Sequence, residues 1–270
     1  MGTEKHSWVG LRALLGLALA LIAALTIFAA CGDGDGGDAD SAAVEAQIRA
    51  ITEAWNGKDV DGLLALVTDN FLAEELEGAT REQARDQLPE FIGDPPEEII
   101  EISDIEVTGD TATAIRDAKE GKLLTRSRGN FVREGDEWKL DSVDDLAAEI
   151  PEGTTAVDLR TLEYKFNFDE AAITDGNIAF NVSNIGGEQH VIDLAKIPAD
   201  LDIEQALRSE EEPPGIEEAG NIEPLEPGSE TTMVFAEPLA PGRYAMICFV
   251  EAADGEPHYL KGMWAEFTIE

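Results

Sequence analysis

Cysteine is nearly missing from this 270-residue chain, which has Cys31 and Cys248 and no others. No disulfide framework can form unless those two pair. Histidine is almost as scarce, with His6, His190 and His258. Positive charge is in short supply: 19 Lys and Arg stand against 57 Asp and Glu, a net charge of −38 at pH 7. A field of that sign repels nucleic acid and anionic lipid headgroups, so neither is expected as a partner. The acid is spread along the chain, with Glu210–Glu212 its densest local run. That pattern reads as a surface adapted to high salt, where screening leaves little long-range steering.

Long apolar runs are also missing, with one exception at the N-terminus. Lys5 and Arg12 precede ALLGLALALIAALTIFAA (13–30), and Ala29 and Ala30 lead into Cys31. A positive start, an apolar stretch and small residues form a secretory signal. The segment resembles a bacterial lipoprotein signal, although Phe28 stands where such signals usually carry Leu. The resemblance implies that residues 1–30 are removed and that Cys31 carries the lipid. An uncleaved membrane anchor is the alternative, since the run is near the lower limit for spanning. Both readings place the remaining chain on the extracytoplasmic face of a bacterial cell membrane, because the positive end stays inside. Residues 31–42, rich in Gly and Asp, are expected to be a flexible tether.

Two folded units are expected beyond it, at 43–146 and 158–270, joined by a linker at 147–157 that contains Pro151 and Gly153. In the first, Val44, Ile48, Ile51 and Trp55 recur at helical spacing, and Val60, Leu63, Leu64 and Val67 repeat it after Asn56-Gly57. A Pro-containing stretch, 88–96, ends the helical part. Strand signals then follow around 100–107 and 111–115, and on either side of the turn at 134–136. Helices followed by an antiparallel meander imply an α+β layer. AWNGKDVDGLLALVTDNF (54–71) with FVREGDEWKLDSV (131–143) resembles the nuclear-transport-factor-2-like superfamily, whose cone-shaped fold packs helices on a curved sheet. That superfamily includes isomerases, dehydratases and non-catalytic binding modules, so the fold does not name an activity. This unit has no His and no Cys. Asp59, Asp61 and Asp69 are candidate acid–base groups but read as helix caps and surface groups, and Trp55 and Trp138 read as core. An isomerase or hydrolase is therefore disfavoured, no catalytic residue is assigned, and a small-molecule or protein ligand of this unit is left open.

The second unit shows short strand signals at 164–168, 178–184, 231–236, 244–250 and 263–269, separated by Gly and Pro turns. Such a series indicates a β-sandwich. The stretch between His190 and Thr231 reads as a long loop-like insertion.

With the signal set aside, His190, His258 and Cys248 all fall in this unit, and Met263 follows closely. Two imidazoles, a thiolate and a weak thioether form the ligand set of a trigonal blue-copper site. VSNIGGEQH (182–190) resembles the first-His segment of cupredoxins. PGRYAMIC (241–248), PH (257–258) and GM (262–263) resemble the plastocyanin closing motif. The resemblance implies an all-β Greek-key sandwich holding one mononuclear copper, with His190 and His258 as imidazole ligands, Cys248 as the thiolate and Met263 as the axial thioether. Nine residues separate Cys248 from His258, more than in plastocyanin-type proteins and similar to copper nitrite reductases. No histidines remain for a second, catalytic copper. The alternative for each residue is structural: Cys248 as a small core hydrophobe, the His residues as structural, Met263 as a strand start. The expectation is a lipid-anchored, non-enzymatic protein carrying single electrons to a redox partner that the sequence does not identify. A metal-free or copper-carrying binding module is the alternative.

Overall fold

The computed structural model describes residues 36–76, 78–209 and 213–270. The lipoprotein signal, Cys31 and the run Glu210–Glu212 lie outside the described residues. Among those described, no helix is long and apolar enough to cross a membrane, a finding that leaves β-barrels untouched. The described chain divides into two compact units, one of residues 36–121 and 126–146, the other of 122–125 and 147–270.

The first unit begins with α1 (Gly36–Asn56). The helix starts inside the segment expected to be a tether. Asp38 in its first turn complements the helix dipole. The Ser41 hydroxyl donates to the Gly37 carbonyl at 2.9 Å within the helix, and Asp40 pairs with Arg133. α2 (Val60–Leu66) is capped by Asp59, whose carboxylate accepts the Gly62 N–H at 2.9 Å. Two further short helices, α3 (Asp69–Glu75) and α4 (Arg81–Gln87), fill a stretch the apolar spacing left unassigned. Thr68 caps the first of these, and Thr80 with Gln83 forms a capping box on the second.

β1 (Glu97–Thr108), β2 (Thr111–Glu120), β3 (Leu123–Glu134) and β4 (Glu137–Leu146) follow as an antiparallel meander. Bulges interrupt the β1–β2 and β3–β4 ladders and bend the sheet. Leu64, Val67, Leu72, Ala114, Phe131 and Leu140 close the core between helices and sheet. This is the expected α+β layer, with helices packed on a bent antiparallel sheet. Asp61 and Asp69 form exposed ion pairs, both at 2.8 Å, with Arg85 and Arg81. Trp138 is buried. Trp55 is half-buried and donates its indole N–H to the Pro95 carbonyl at 3.0 Å.

The second unit is built from β5 (Thr155–Leu162), β6 (Lys165–Asn167), β7 (Ile178–Asn184), β8 (His190–Ile197), the short helix α5 (Ile203–Leu207), β9 (Glu217–Leu225), β10 (Glu230–Phe235), β11 (Gly242–Ile247) and β12 (Trp264–Ile269). One sheet runs β10-β7-β5-β6, with β5 and β7 parallel. The other runs β12-β11-β8-β9 and is antiparallel throughout. The chain changes sheet between β7 and β8, β9 and β10, and β10 and β11, and the result is an all-β, two-sheet sandwich.

Three strands differ from the sequence expectation. β5 starts within the expected linker, where the Ala148 carbonyl already accepts the Thr232 hydroxyl at 2.8 Å. β8 and β9 occupy the stretch read as an insertion. Along β5 the buried residues alternate, with Val157, Leu159 and Thr161 facing inward. Phe180 packs edge-on to Phe267 at 5.9 Å, and Tyr244 stacks on Phe267 at 5.3 Å. Burying a side chain of this size contributes roughly 2–3 kcal/mol. The Tyr244 hydroxyl donates to the Ala240 carbonyl at 2.7 Å and pins the corner before β11.

Candidate metal centre

His190 is the first residue of β8 and ends the loop that leaves β7. The buried Asn184 shapes that loop. Its amide donates to the carbonyls of Glu188 and Leu225, both at 2.8 Å, and its Oδ1 accepts the Gly186 N–H at 3.0 Å. Gly186 leaves room for its neighbours: a Cβ there would sit 2.9 Å from Glu163 Oε1 and 3.1 Å from His190 Nε2 and would crowd both side chains.

Cys248 follows β11 directly, and the chain then closes on itself. The Cys248 N–H donates to the Met263 carbonyl at 3.1 Å, and the Met263 N–H to the His258 carbonyl at 3.0 Å. The Tyr259 N–H donates to the Cys248 carbonyl at 3.0 Å, and the His258 N–H to the Val250 carbonyl at 2.8 Å. His258 opens a single 3-10 turn, His258–Lys261, which stops at Gly262 with φ of 101°, a left-handed conformation suited to glycine. The residues between Val250 and His258 loop outward as a small turn, with a bridge between Glu251 and Pro257 and a 3.0 Å bond from the Ala252 N–H to the Glu256 carbonyl.

These elements converge three side chains. His190 Nδ1 lies 3.2 Å from His258 Nδ1, and Cys248 Sγ lies 3.9 Å and 3.5 Å from those two nitrogens. All three residues are fully buried. A point in the plane of the three atoms stands about 2.1 Å from each, within the roughly 2.0–2.3 Å range of metal–imidazole and metal–thiolate bonds. The donor set and its spacing fit a metal ion. Met263 is fully buried in the same apolar cluster as Cys248 and is tied through its backbone to both Cys248 and His258.

Burial governs the electrostatics. It pushes the Cys248 thiol up to about 12, against hydrogen bonds to the sulfur from the Val191 and Val250 backbones. It pushes His190 down to about 4, helped by His258 and opposed by Glu163 and Glu188. His258 is also lowered by burial and opposed by Glu188. Near neutral pH both imidazoles are therefore uncharged, with lone pairs to offer a metal, while the sulfur holds its proton until a metal displaces it.

No family model matches the chain, and no curated protein matches it either. Solved structures do. Dithionite-reduced auracyanin from the photosynthetic bacterium Roseiflexus castenholzii is 24% identical over 43% of this chain and 98% of its own, with a TM-score of 0.32. Auracyanin B is 20% identical over 46% of this chain and 96% of its own, with a TM-score of 0.29. An NTF2-like protein of unknown function from Shewanella baltica is 13% identical over 41% of this chain and 97% of its own, with a TM-score of 0.32.

Sequence reasoning did not find the groups around the triangle. Glu188 Oε2 lies 2.9 Å from His258 Nε2. The Tyr164 ring meets the His258 ring edge-on at 5.1 Å, and Glu163 accepts the Gly187 N–H. The signal available was position: Glu188 stands two residues before a candidate ligand.

Proposed function

We propose that this protein is a lipid-anchored, extracytoplasmic cupredoxin that holds one copper ion and transfers single electrons. The observation that carries the reading is the buried triangle of His190 Nδ1, Cys248 Sγ and His258 Nδ1. Imidazole and thiolate donors together suit copper in both of its oxidation states, and Met263, buried in the same cluster as Cys248, would supply a soft thioether. Copper held there supplies a one-electron couple. The chain's own residues do the rest. The backbone bonds joining Cys248, His258 and Met263 hold the donors in place, and their complete burial excludes water. Both keep reorganisation small when charge changes. Cys31 carries the lipid in this reading, and the redox partner is a protein met at the membrane surface. The first unit serves in docking or ligand binding rather than catalysis. With no spare histidine for a second copper, and a surface that repels nucleic acid, neither a multicopper enzyme nor a nucleic-acid protein fits.

One observation favours a second reading. The two Nδ1 atoms, 3.2 Å apart, can share a hydrogen bond with no metal present, as a metal-free binding module would require. Titrating Cu(II) into the purified protein decides between them. An intense visible thiolate-to-copper band saturating at one equivalent is expected. No band at any copper concentration would leave the metal-free module.

A further inference from the structure

The second unit carries a cleft that the copper reading leaves unused. It opens between α5 and the turn begun by His258, and its volume is about 330 Å³. That is the lower end of the range for small-molecule sites. Glu204, Leu207 and Arg208 line it from α5 and its C-terminal end, and Tyr259, Leu260, Lys261 and Trp264 line it from the turn and the start of β12.

The floor is apolar and aromatic. Leu207 is buried and belongs to the cluster that α5 shares with Ile197, Ala245 and Ile247. Tyr259 and Trp264 are half-buried and pack on that cluster. Phe249 meets the Tyr259 ring edge-on at 5.3 Å. Flat ring faces favour a flat partner, because well-arranged ring pairs contribute about 0.5–1.5 kcal/mol beyond the area they bury.

The polar chemistry of the walls is one-sided. Arg208 and Lys261 bring cationic donors, Trp264 an indole N–H and Tyr259 a hydroxyl, whereas Glu204 brings the one carboxylate. The Lys261 ammonium is engaged in ion pairs of its own. Arg208 pairs with Glu204 at 3.3 Å, and both of those side chains are mostly exposed. An exposed pair contributes at most about 1 kcal/mol, so an incoming acceptor oxygen can take the guanidinium from Glu204. The chain's net charge of −38 limits what that acceptor is attached to. A ligand with several negative charges is repelled, and one with neutral carbonyl oxygens or a single carboxylate is repelled far less.

We propose that this cleft is a binding site for a planar aromatic molecule that carries carbonyl or carboxylate oxygens and at most one negative charge. Its ring lies against Leu207, Tyr259 and Trp264, and its oxygens accept from Arg208 and the Trp264 indole. Binding there needs no metal. The cleft nevertheless abuts the candidate metal centre, since Tyr259 directly follows His258 and its N–H donates to the Cys248 carbonyl at 3.0 Å.

The probe is 2-naphthoate, a flat ring system with one carboxylate. Amide and indole nitrogen spectra of the metal-free, full-length protein should show saturable shifts on titration, centred on residues 203–208 and 259–264 and including the Trp264 indole. The control is 2-naphthylmethylamine, which has the same ring with a cation in place of the carboxylate. The acidic surface attracts it but the donors of the cleft do not, so it should bind there about tenfold more weakly. Arg208→Ala, at an exposed position that leaves the core intact, should bind 2-naphthoate about fivefold more weakly, and Trp264→Phe, which keeps a ring and removes the N–H, by a similar factor. No saturable shift at millimolar 2-naphthoate, or shifts centred elsewhere, overturns the site. Equal affinity for the two probes, or parent affinity in both variants, overturns the assignment of its ligand class. A chain that takes up no copper would sink the copper reading and leave this result standing.

Discussion

Copper binding at neutral pH should release one proton per metal ion. Thiolate, not thiol, is the ligand, and burial holds the Cys248 proton in place up to about pH 12 in the metal-free protein. The imidazoles add nothing in this range, because His190 protonates only near pH 4 and His258 is also lowered. The sign follows directly. The metal competes with one proton, so affinity rises with pH, tenfold per unit or about 1.4 kcal/mol. From pH 7 to pH 10 the apparent dissociation constant should fall by about three decades without levelling. An exposed thiol, titrating near 8.5, would level off within that window. The assay is copper competition against a chelator of known proton stoichiometry, with proton uptake by buffers of different ionisation enthalpy as a check. A slope of zero would mean that sulfur is not a ligand, or that the thiolate is already formed. A slope of two would mean that an imidazole enters protonated. Either result refutes this account of the site's electrostatics.

The ligands should rank in their effects. Cys248→Ala should abolish the visible band, His190→Ala or His258→Ala should weaken copper binding and admit water, and Met263→Leu should keep copper and colour while raising the reduction potential; a parent-like copper spectrum in Cys248→Ala would reduce the thiol to a core residue. The metal-free protein should lose stability in acid. His190 has a lower pKa folded than unfolded, so the unfolded chain binds the extra proton, and stability falls as pH drops from about 6.5 to about 4. That loss is about 3 kcal/mol, and thermal unfolding of the metal-free form, flat across this window, would contradict it. Cys31→Ser should release the protein from membranes or block its processing, as fractionation would show; full retention with an intact N-terminus would point to an uncleaved anchor.

Some of this structure is legible in the chain and some is not, for physical reasons. β7 and β10 could be read because apolar residues there are bounded by Asp175-Gly176 and Pro227-Gly228 turns. β8 was hidden by its success as a strand: HVIDLAKI is buried on both faces for most of its length, so it shows no alternation. β9 was hidden by the opposite feature, since Glu217, Glu218 and Pro224 make it look like loop. α3 and α4 have seven residues each, too few to display a period, and only the caps Thr68 and Thr80 announce them. The triangle of ligands stood out because His and Cys are so rare here. Glu188 did not, since one carboxylate among 57 acidic residues carries no mark until its carboxylate is seen 2.9 Å from a ring nitrogen.

The closed loop from Cys248 to Met263 separates two quantities that elsewhere go together, the spacing of the ligands and the length of chain between them. The cross-bonds from Tyr259 to Cys248, from His258 to Val250 and from Cys248 to Met263 clamp the loop at its base. The additional residues, around Asp254 and Gly255, hang outside the clamp in a turn closed by the Gly255 N–H to the Ala252 carbonyl at 2.8 Å. That turn is a natural graft point. A dye, a surface tether or a foreign peptide spliced between Ala253 and Glu256 would stand a few residues from the ligands without pulling on them, and the protein could be wired to an electrode there while its donors keep their positions.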